Sequence, residues 1–274
     1  MTLIQALTLG ILQGLTEFLP VSSSGHLIIF PWIFGWKQHS LTFDTTLHLG
    51  TALALLIYFY KDLWLVFSSL LKDVMKLKLK IRKYSDFGKL GMFIIIGSIP
   101  AGILGLLIQK FVENQFRSVT VVLAFLVLGS VLMFVAEKFS KMSAKPLDEN
   151  LPAQAGKSFV IGLFQALALF PGISRSGSTI SAGMLFGLTR QEAARFSFLL
   201  SMPIIVVAAL LNIVESSKTF IFDLNVLVGF SASFIIGIMS IKFLMEFTKN
   251  RSLYIFVAYR LLLSAFLLIM LLFR

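Results

Sequence analysis

Along this chain, apolar stretches about as long as a bilayer is thick alternate with short polar segments. A membrane-spanning helix needs roughly 20 apolar residues with few charges. Six stretches approach that, near residues 44–60, 90–109, 119–136, 196–214, 224–245 and 253–273. Four others, at 3–18, 26–36, 157–170 and 178–188, are too short to cross and stand in pairs around Pro, Gly and Ser breaks. Each pair reads as a re-entrant helical hairpin. Backbone that leaves the helix at membrane depth is tolerated only where protein or a wet cavity satisfies its N–H and C=O groups, so both breaks are expected inside the bundle. The pattern predicts an all-α integral membrane protein of six transmembrane helices and two re-entrant hairpins, forming one polytopic domain over residues 1–274.

The two breaks also read as copies of each other. At a constant offset of 152, GILQGLTEFLPVSSSG (Gly10 to Gly25) lies over GLFQALALFPGISRSG (Gly162 to Gly177) without a gap. Chance apolar similarity aligns Leu and Phe readily, but it does not hold a Gln, two Ser and two Gly in register. An internal duplication follows, with a first repeat over 1–136 and a second over 157–274, each a hairpin and three spans. Three is odd, so the second copy is expected to be inverted in the membrane. The loops 72–89, 137–157, 189–195 and 246–252 together hold fifteen Lys and Arg, against four in 37–43, 110–118 and 215–223. The positive-inside rule makes the first set cytoplasmic and puts both termini outside. The first hairpin then dips in from the outer face, the second from the cytoplasmic face, and their loops meet near the midplane.

Composition narrows the class without changing this picture. Of 274 residues, 57% are hydrophobic and only 14% charged, which excludes disorder and leaves lipid as the solvent for most of the surface. A net charge of +11 is not a nucleic-acid signal here, because the basic residues sit between apolar runs. No Cys is present, which removes disulfides, thiolate zinc sites and a Cys nucleophile. The start, MTLIQALTLGILQGLTEF, lacks the basic and small-residue marks of a cleaved signal peptide. Residues 72–86, with Lys alternating with apolar positions, read as a cytoplasmic membrane-surface segment, and Thr189 to Glu192 as a capping box opening a helix.

Ionisable side chains within apolar segments are expensive and usually functional. Glu17, His26 and Arg175 all fall in the repeated motif. Gln13 and Glu17, four apart, share one helix face, and Pro20 ends that helix. Ser22, Ser23 and Ser24 form the turn, and Gly25 lets backbone approach a ligand closely. With the second half-helix starting near Ser22, Ser23 and His26 share a face, which brings a hydroxyl toward an imidazole. The other hairpin supplies Ser174, Arg175, Ser176, Gly177, Ser178 and Thr179, with Arg175 where the first has Ser23. Two inverted loops would thus set a guanidinium opposite a hydroxyl, among freed amides and two half-helix N-termini. Such a constellation suits a phosphate or diphosphate. His48 is expected to line the site, and His39 to be an ordinary loop residue.

These residues resemble the undecaprenyl pyrophosphate phosphatases of the bacitracin-resistance type. The first motif of that family, a Glu or Gln before a Glu and then a Pro/Ser/Gly/His run, reads QGLTEFLPVSSSGH from Gln13 to His26. The second reads PGISRSGST from Pro171 to Thr179. The resemblance implies hydrolysis of undecaprenyl pyrophosphate to the monophosphate, with a divalent cation, Mg or Ca, held partly by Glu17. It implies Glu17, Ser23, His26 and Arg175 as catalytic residues. Gln13, Ser22, Ser24, Gly25, Ser174, Ser176, Gly177 and Thr179 support the substrate. Gln13 stands where many members carry a carboxylate. The expected partners are a polyprenyl pyrophosphate lipid and the plasma membrane, with a site near mid-membrane opening to the outer face and a homodimer allowed. On the residues alone, two attacks stay open: Ser23 with His26 as proton acceptor, or water with His26 or Glu17 as base. The inverted repeat also permits a transporter or flippase of a phosphorylated lipid or organic anion. A carrier needs no nucleophile paired with an acid/base, so Ser23 with His26 favours the enzyme.

Overall fold

A computed structural model describes residues 1–78, 80–140, 151–216 and 223–273. Its described residues form eleven α-helices: α1 (Leu3–Phe18), α2 (Ser23–Ile33), α3 (Leu41–Tyr58), α4 (Tyr60–Leu77), α5 (Asp86–Gln115), α6 (Val119–Phe139), α7 (Leu151–Leu167), α8 (Arg175–Leu185), α9 (Arg190–Ser216), α10 (Leu224–Asn250) and α11 (Tyr254–Phe273). Parts of α5 and α9, with α6, α10 and α11, are long and apolar enough to cross a membrane, and α3 with α4 makes a sixth if that bent pair is one span. The expected span at 44–60 corresponds to α3, which stops at Tyr58, where the chain turns by 75° into α4. Lys61, Asp62, Lys72, Asp73 and Lys76 are too many charges for a crossing, while Trp64, Phe67, Leu71 and Met75 leave an exposed apolar side. So α4 takes up the first part of the expected basic loop, and Asp73 closes its turn into α5 by accepting from Ser85 N at 2.8 Å and Ser85 Oγ at 2.7 Å. Residues 141–150 of the expected loop 137–157 lie outside the described residues, and its two ends belong to α6 and α7. The capping box at Thr189 is present, with the Thr189 amide donating to Glu192 at 2.9 Å and the Glu192 amide to Thr189 Oγ1 at 3.2 Å.

Both short apolar pairs are broken helices. Leu19 precedes Pro20 and is extended (φ −67°, ψ 143°), the conformation that a following proline enforces, and α1 ends there. The chain re-enters a helix through Ser22 at φ 77°, whose hydroxyl accepts from the Gly25 amide. The second break does the same: Ser174 at φ 76° caps α8 by accepting from the Gly177 amide. Helices α2 and α8 are each 11 residues long, and each is followed by a Gly of positive φ, Gly35 and Gly187. Starts, caps and stops all fall 152 residues apart.

Packing joins the two halves. α1 lies along α10 and α7 along α5, while α3 packs on α10 and α6 on α11. Close crossings use small residues. A Cβ on Gly10 would stand 2.5 Å from the Gly229 carbonyl, and one on Gly162 would stand 2.1 Å from the Gly97 carbonyl. The main core gathers Phe18, Phe59 and Phe198 with residues of α5, α8, α9, α10 and α11. Exposure is inverted relative to a water-soluble protein. Leu107 is 74% exposed and Phe273 88%, while Gln13, His26 and Arg260 are 0% exposed.

Candidate active site

The α1 helix presents Gln13 and Glu17 on one face, as their spacing requires, and the break after it turns Ser23 back toward them. Ser23 Oγ donates to Glu17 Oε2 at 2.7 Å, and Gln13 Nε2 donates to the same oxygen at 3.1 Å. Across the repeat, Arg175 at the start of α8 donates from Nη2 to Glu17 Oε1 at 2.8 Å. His48 of α3 approaches the carboxylate as well, its Nε2 at 3.7 Å from Glu17 Oε2. One carboxylate thus collects a hydroxyl, an amide, a guanidinium and an imidazole from four helices. Glu17 is buried, whereas Ser23, Ser24, Arg175 and His48 keep part of their surface, so the cluster is open on one side. Within this cluster, Arg175 Nη1 and Gln13 Oε1 are buried without a hydrogen-bond partner among the described residues. Such groups are costly unless something polar meets them.

The remaining expected substrate groups hold the two turns. Ser22 Oγ accepts from the Gly25 amide at 3.3 Å and also from the Gly172 amide of the other break at 3.1 Å. Ser176 Oγ donates to the Leu19 carbonyl at 3.2 Å, a second tie between the breaks. Ser174 Oγ caps α8 and lies 3.2 Å from Ser176 Oγ, as Ser22 Oγ lies 3.5 Å from Ser24 Oγ. Thr179 is buried and bonds the Arg175 carbonyl at 2.8 Å and Ser197 Oγ at 2.6 Å. A Cβ on Gly25 would stand 3.5 Å from Gly172 Cα, which shows how closely the turns approach. In this arrangement Ser22, Ser174, Ser176 and Thr179 have their hydroxyls engaged by protein, while Ser23 and Arg175 face the opening.

His26 is placed differently from the expectation that it would sit beside Ser23. Its Nδ1 is 2.7 Å from the Ser22 carbonyl, which can only accept, so that nitrogen carries the proton. The other nitrogen, Nε2, lies 2.7 Å from the Tyr259 hydroxyl, and the two rings stack. The Ser23 hydroxyl is given to Glu17 instead. His39 is not idle either, since it pairs with Asp44, which Arg117 also binds at 3.0 Å. Sequence reasoning did not reach Tyr259 or Arg260. Arg260 lies in the middle of an apolar span, so the rule that singled out Glu17, His26 and Arg175 also applies to it.

Among the described residues no cluster of three or more His, Cys, Asp or Glu side chains stands ready for a metal. The hard oxygen donors present are the Glu17 carboxylate and the unpartnered Gln13 Oε1. That set fits Mg²⁺ or Ca²⁺ when phosphate oxygens of a ligand complete the shell, since Mg²⁺ commonly takes one or two protein carboxylates plus substrate phosphates.

A helical protein with several apolar helices long enough to cross a bilayer and a buried polar centre assembled from two broken-helix turns is a multi-pass membrane protein. The comparison with known proteins makes this particular. Residues 6–266 match the family described as bacitracin resistance protein BacA, and the chain belongs to that family. It is 45% identical over 273 residues to a protein of Caldicellulosiruptor bescii named undecaprenyl-diphosphatase, covering 97% of this chain and 96% of that one. A protein of the same name from Moorella thermoacetica is 40% identical over 266 residues, covering 97% and 96%. Another, from Chloroherpeton thalassium, is 39% identical over 278 residues, covering 99% and 97%.

Proposed function

We propose that this chain is an undecaprenyl-diphosphatase, a membrane hydrolase that converts undecaprenyl diphosphate to the monophosphate and inorganic phosphate. In that role it recycles the lipid carrier of cell-wall synthesis and confers bacitracin resistance. The observation that carries the reading is the Ser23–Glu17–Arg175 cluster, a hydroxyl 2.7 Å from one carboxylate oxygen with a guanidinium 2.8 Å from the other. The names of the relatives supply the substrate. A transporter would need a place for the anion but no hydroxyl held against a base, so the cluster favours hydrolysis.

Arg175 Nη1 and the amides at the start of α2 and α8 receive the terminal phosphate, as charge-assisted donors and helix N-termini do. Ser23 Oγ attacks the terminal phosphorus, and its proton passes to Glu17 Oε2. The bond from phosphorus to the bridging oxygen breaks and undecaprenyl phosphate leaves. Glu17 gives that proton to the departing undecaprenyl phosphate. Water then attacks the phosphoserine and passes its proton to the emptied Glu17, which returns it to Ser23 Oγ as the phosphorus–Oγ bond breaks and phosphate departs. This gives Glu17 the base role expected of His26, because both His26 nitrogens are already engaged. Glu17 and Gln13 Oε1 would hold the divalent cation, which when bound supplies neutralisation of the diphosphate charge. A membrane homodimer belongs to the same reading.

The fold reading is finer than the helix count. The first hairpin enters from the outer face and the second from the cytoplasmic face of the plasma membrane, as halves of an inverted repeat, with the site opening outward. Support comes from the fifteen-to-four charge asymmetry, from the caps of α2 and α8 repeating at 152, and from the reciprocal packing of α1 on α10 and α7 on α5.

The deciding measurement is phosphate release from undecaprenyl diphosphate by purified protein in detergent, with chelator and with Mg²⁺ or Ca²⁺ restored. Release by the wild type, lost with chelator and reduced about 10³-fold in Glu17→Gln, is expected. A wild-type protein that releases no phosphate with either cation present would end the proposal.

A further inference from the structure

Among the described residues Arg260 is the largest fully buried side chain, and no carboxylate there pairs with it. Its partners are backbone carbonyls and one hydroxyl. Nη1 donates to Pro20 O at 3.3 Å and Ile173 O at 3.0 Å, and Nη2 to Gly172 O at 2.8 Å, Leu126 O at 3.0 Å and Phe125 O at 3.4 Å. Nε donates to Leu126 O at 3.3 Å and Ser130 Oγ at 3.2 Å. Pro20 belongs to the first break and Gly172 and Ile173 to the second, so one guanidinium grips both turns and ties them to α6.

A buried cation is costly, and one without a counter-charge is kept only where its donors are fully used. Here each side has what the other lacks. The carbonyls of broken helices have lost their intrahelical donors, and a guanidinium has five N–H groups in a fixed fork. The surroundings are shaped for it, since a Cβ on Gly129 would stand 2.2 Å from Nη2. Ser23 follows Pro20 by three residues and Arg175 follows Ile173 by two. The two ties already described, Gly172 to Ser22 and Ser176 to Leu19, run from turn to turn. Arg260 adds a third point of attachment from a separate helix, and its neighbour Tyr259 holds His26.

We propose that Arg260 is a positioning residue that fixes the two breaks in register, so that Ser23, Glu17 and Arg175 meet at one phosphate. It does not touch substrate. The inference rests on the hydrolase reading, and wild-type phosphate release in the same assay keeps the two apart. A register error of about 1 Å costs in-line attack roughly 10²-fold, while the flexible Arg175 side chain can still reach a phosphate oxygen.

Arg260→Lys keeps the charge but offers three donors to these acceptors, and Arg260→Ala leaves a guanidinium-sized void. We expect Arg260→Lys to lower kcat about 10²-fold with KM within about threefold of wild type, in protein that stays monodisperse in detergent. Added guanidinium ion should raise kcat of Arg260→Ala and leave the wild type unchanged. Wild-type kcat in Arg260→Lys overturns the proposal. So does a fall in kcat accompanied by an equal rise in KM and a lower melting midpoint, with no response of Arg260→Ala to guanidinium, which is the behaviour of a merely structural residue. If Arg260→Ala cannot be purified, the kcat and KM of Arg260→Lys decide alone.

Discussion

Three adjacent serines compete for the role of nucleophile, and hydrogen bonding separates them. Ser22 is spent on two backbone amides, Ser24 on no carboxylate among the described residues, and Ser23 on Glu17 at 2.7 Å. Ser23→Ala should therefore abolish phosphate release while the protein still binds undecaprenyl diphosphate. Retention of a substantial fraction of turnover would make water the attacking group. For Arg175 the planar fork is what counts, because Nη2 serves Glu17 while Nη1 is left for an anion. Arg175→Lys should lower kcat/KM by about 10²-fold or more at unchanged expression, measured by phosphate release. Tyr259→Phe removes the hydroxyl that orients His26, whose other nitrogen holds the Ser22 carbonyl at the first break, and a loss of about 10-fold in phosphate release is expected as the turn carrying Ser23 loosens. Glu17, Ser23 and Arg175 were legible in the sequence because a repeat placed them together and charge in an apolar run is conspicuous. The partner of Ser23 was not legible, since Glu17 and His26 lie on different helices and only the angle of the break decides which one the hydroxyl meets. Arg260 carried the same sequence signal as Arg175 but lay outside the repeated motif, which is why motif reasoning passed over it.

At the scale of elements, hydropathy found the long helices with ends off by up to about six residues, because charged and polar end turns continue the helices past the apolar windows, and missed the bend at Phe59. That bend has no Pro or Gly to announce it, and 44–60 satisfies an apolar window as well as a straight span does. The breaks were more legible because their punctuation is chemical, Pro20 in one and Pro171–Gly172 in the other. Gly172 sits at φ 108°, and an added Cβ would meet the Val122 carbonyl at 2.6 Å. Gly172→Ala should cost on the order of 1–3 kcal/mol through strain and overpacking, read as a lower melting midpoint in detergent, and should lower turnover because Arg260 grips this carbonyl. An unchanged midpoint would mean that the turn has more freedom than its geometry shows.

Over the whole molecule many large apolar side chains face outward while Gln13, Glu17, His26 and Arg260 are buried, and the charge asymmetry of the loops carries the direction proposed for it. The chain contains no Cys, so single cysteines report sidedness cleanly. Lys83→Cys, exposed after α4, should be labelled from the cytoplasmic side, and Lys37→Cys, exposed between α2 and α3, from the outside. The reverse pattern in intact cells would invert the topology and turn the site toward the cytoplasm. The reciprocal packing, in which the first arm of each half lies along a helix of the other, has a consequence for biosynthesis. Neither half has its natural neighbour until the other has been inserted, so α1 must wait for α10, more than 200 residues later in translation. The growing chain holds Glu17 and Ser23 from its first moments but has no Arg175 to pair with them until about two-thirds of it is made, and no Arg260 to set the turns until nearly all of it has left the ribosome. Hydrolytic competence thus arrives late and all at once, and a chain interrupted before α11 is an unarmed one.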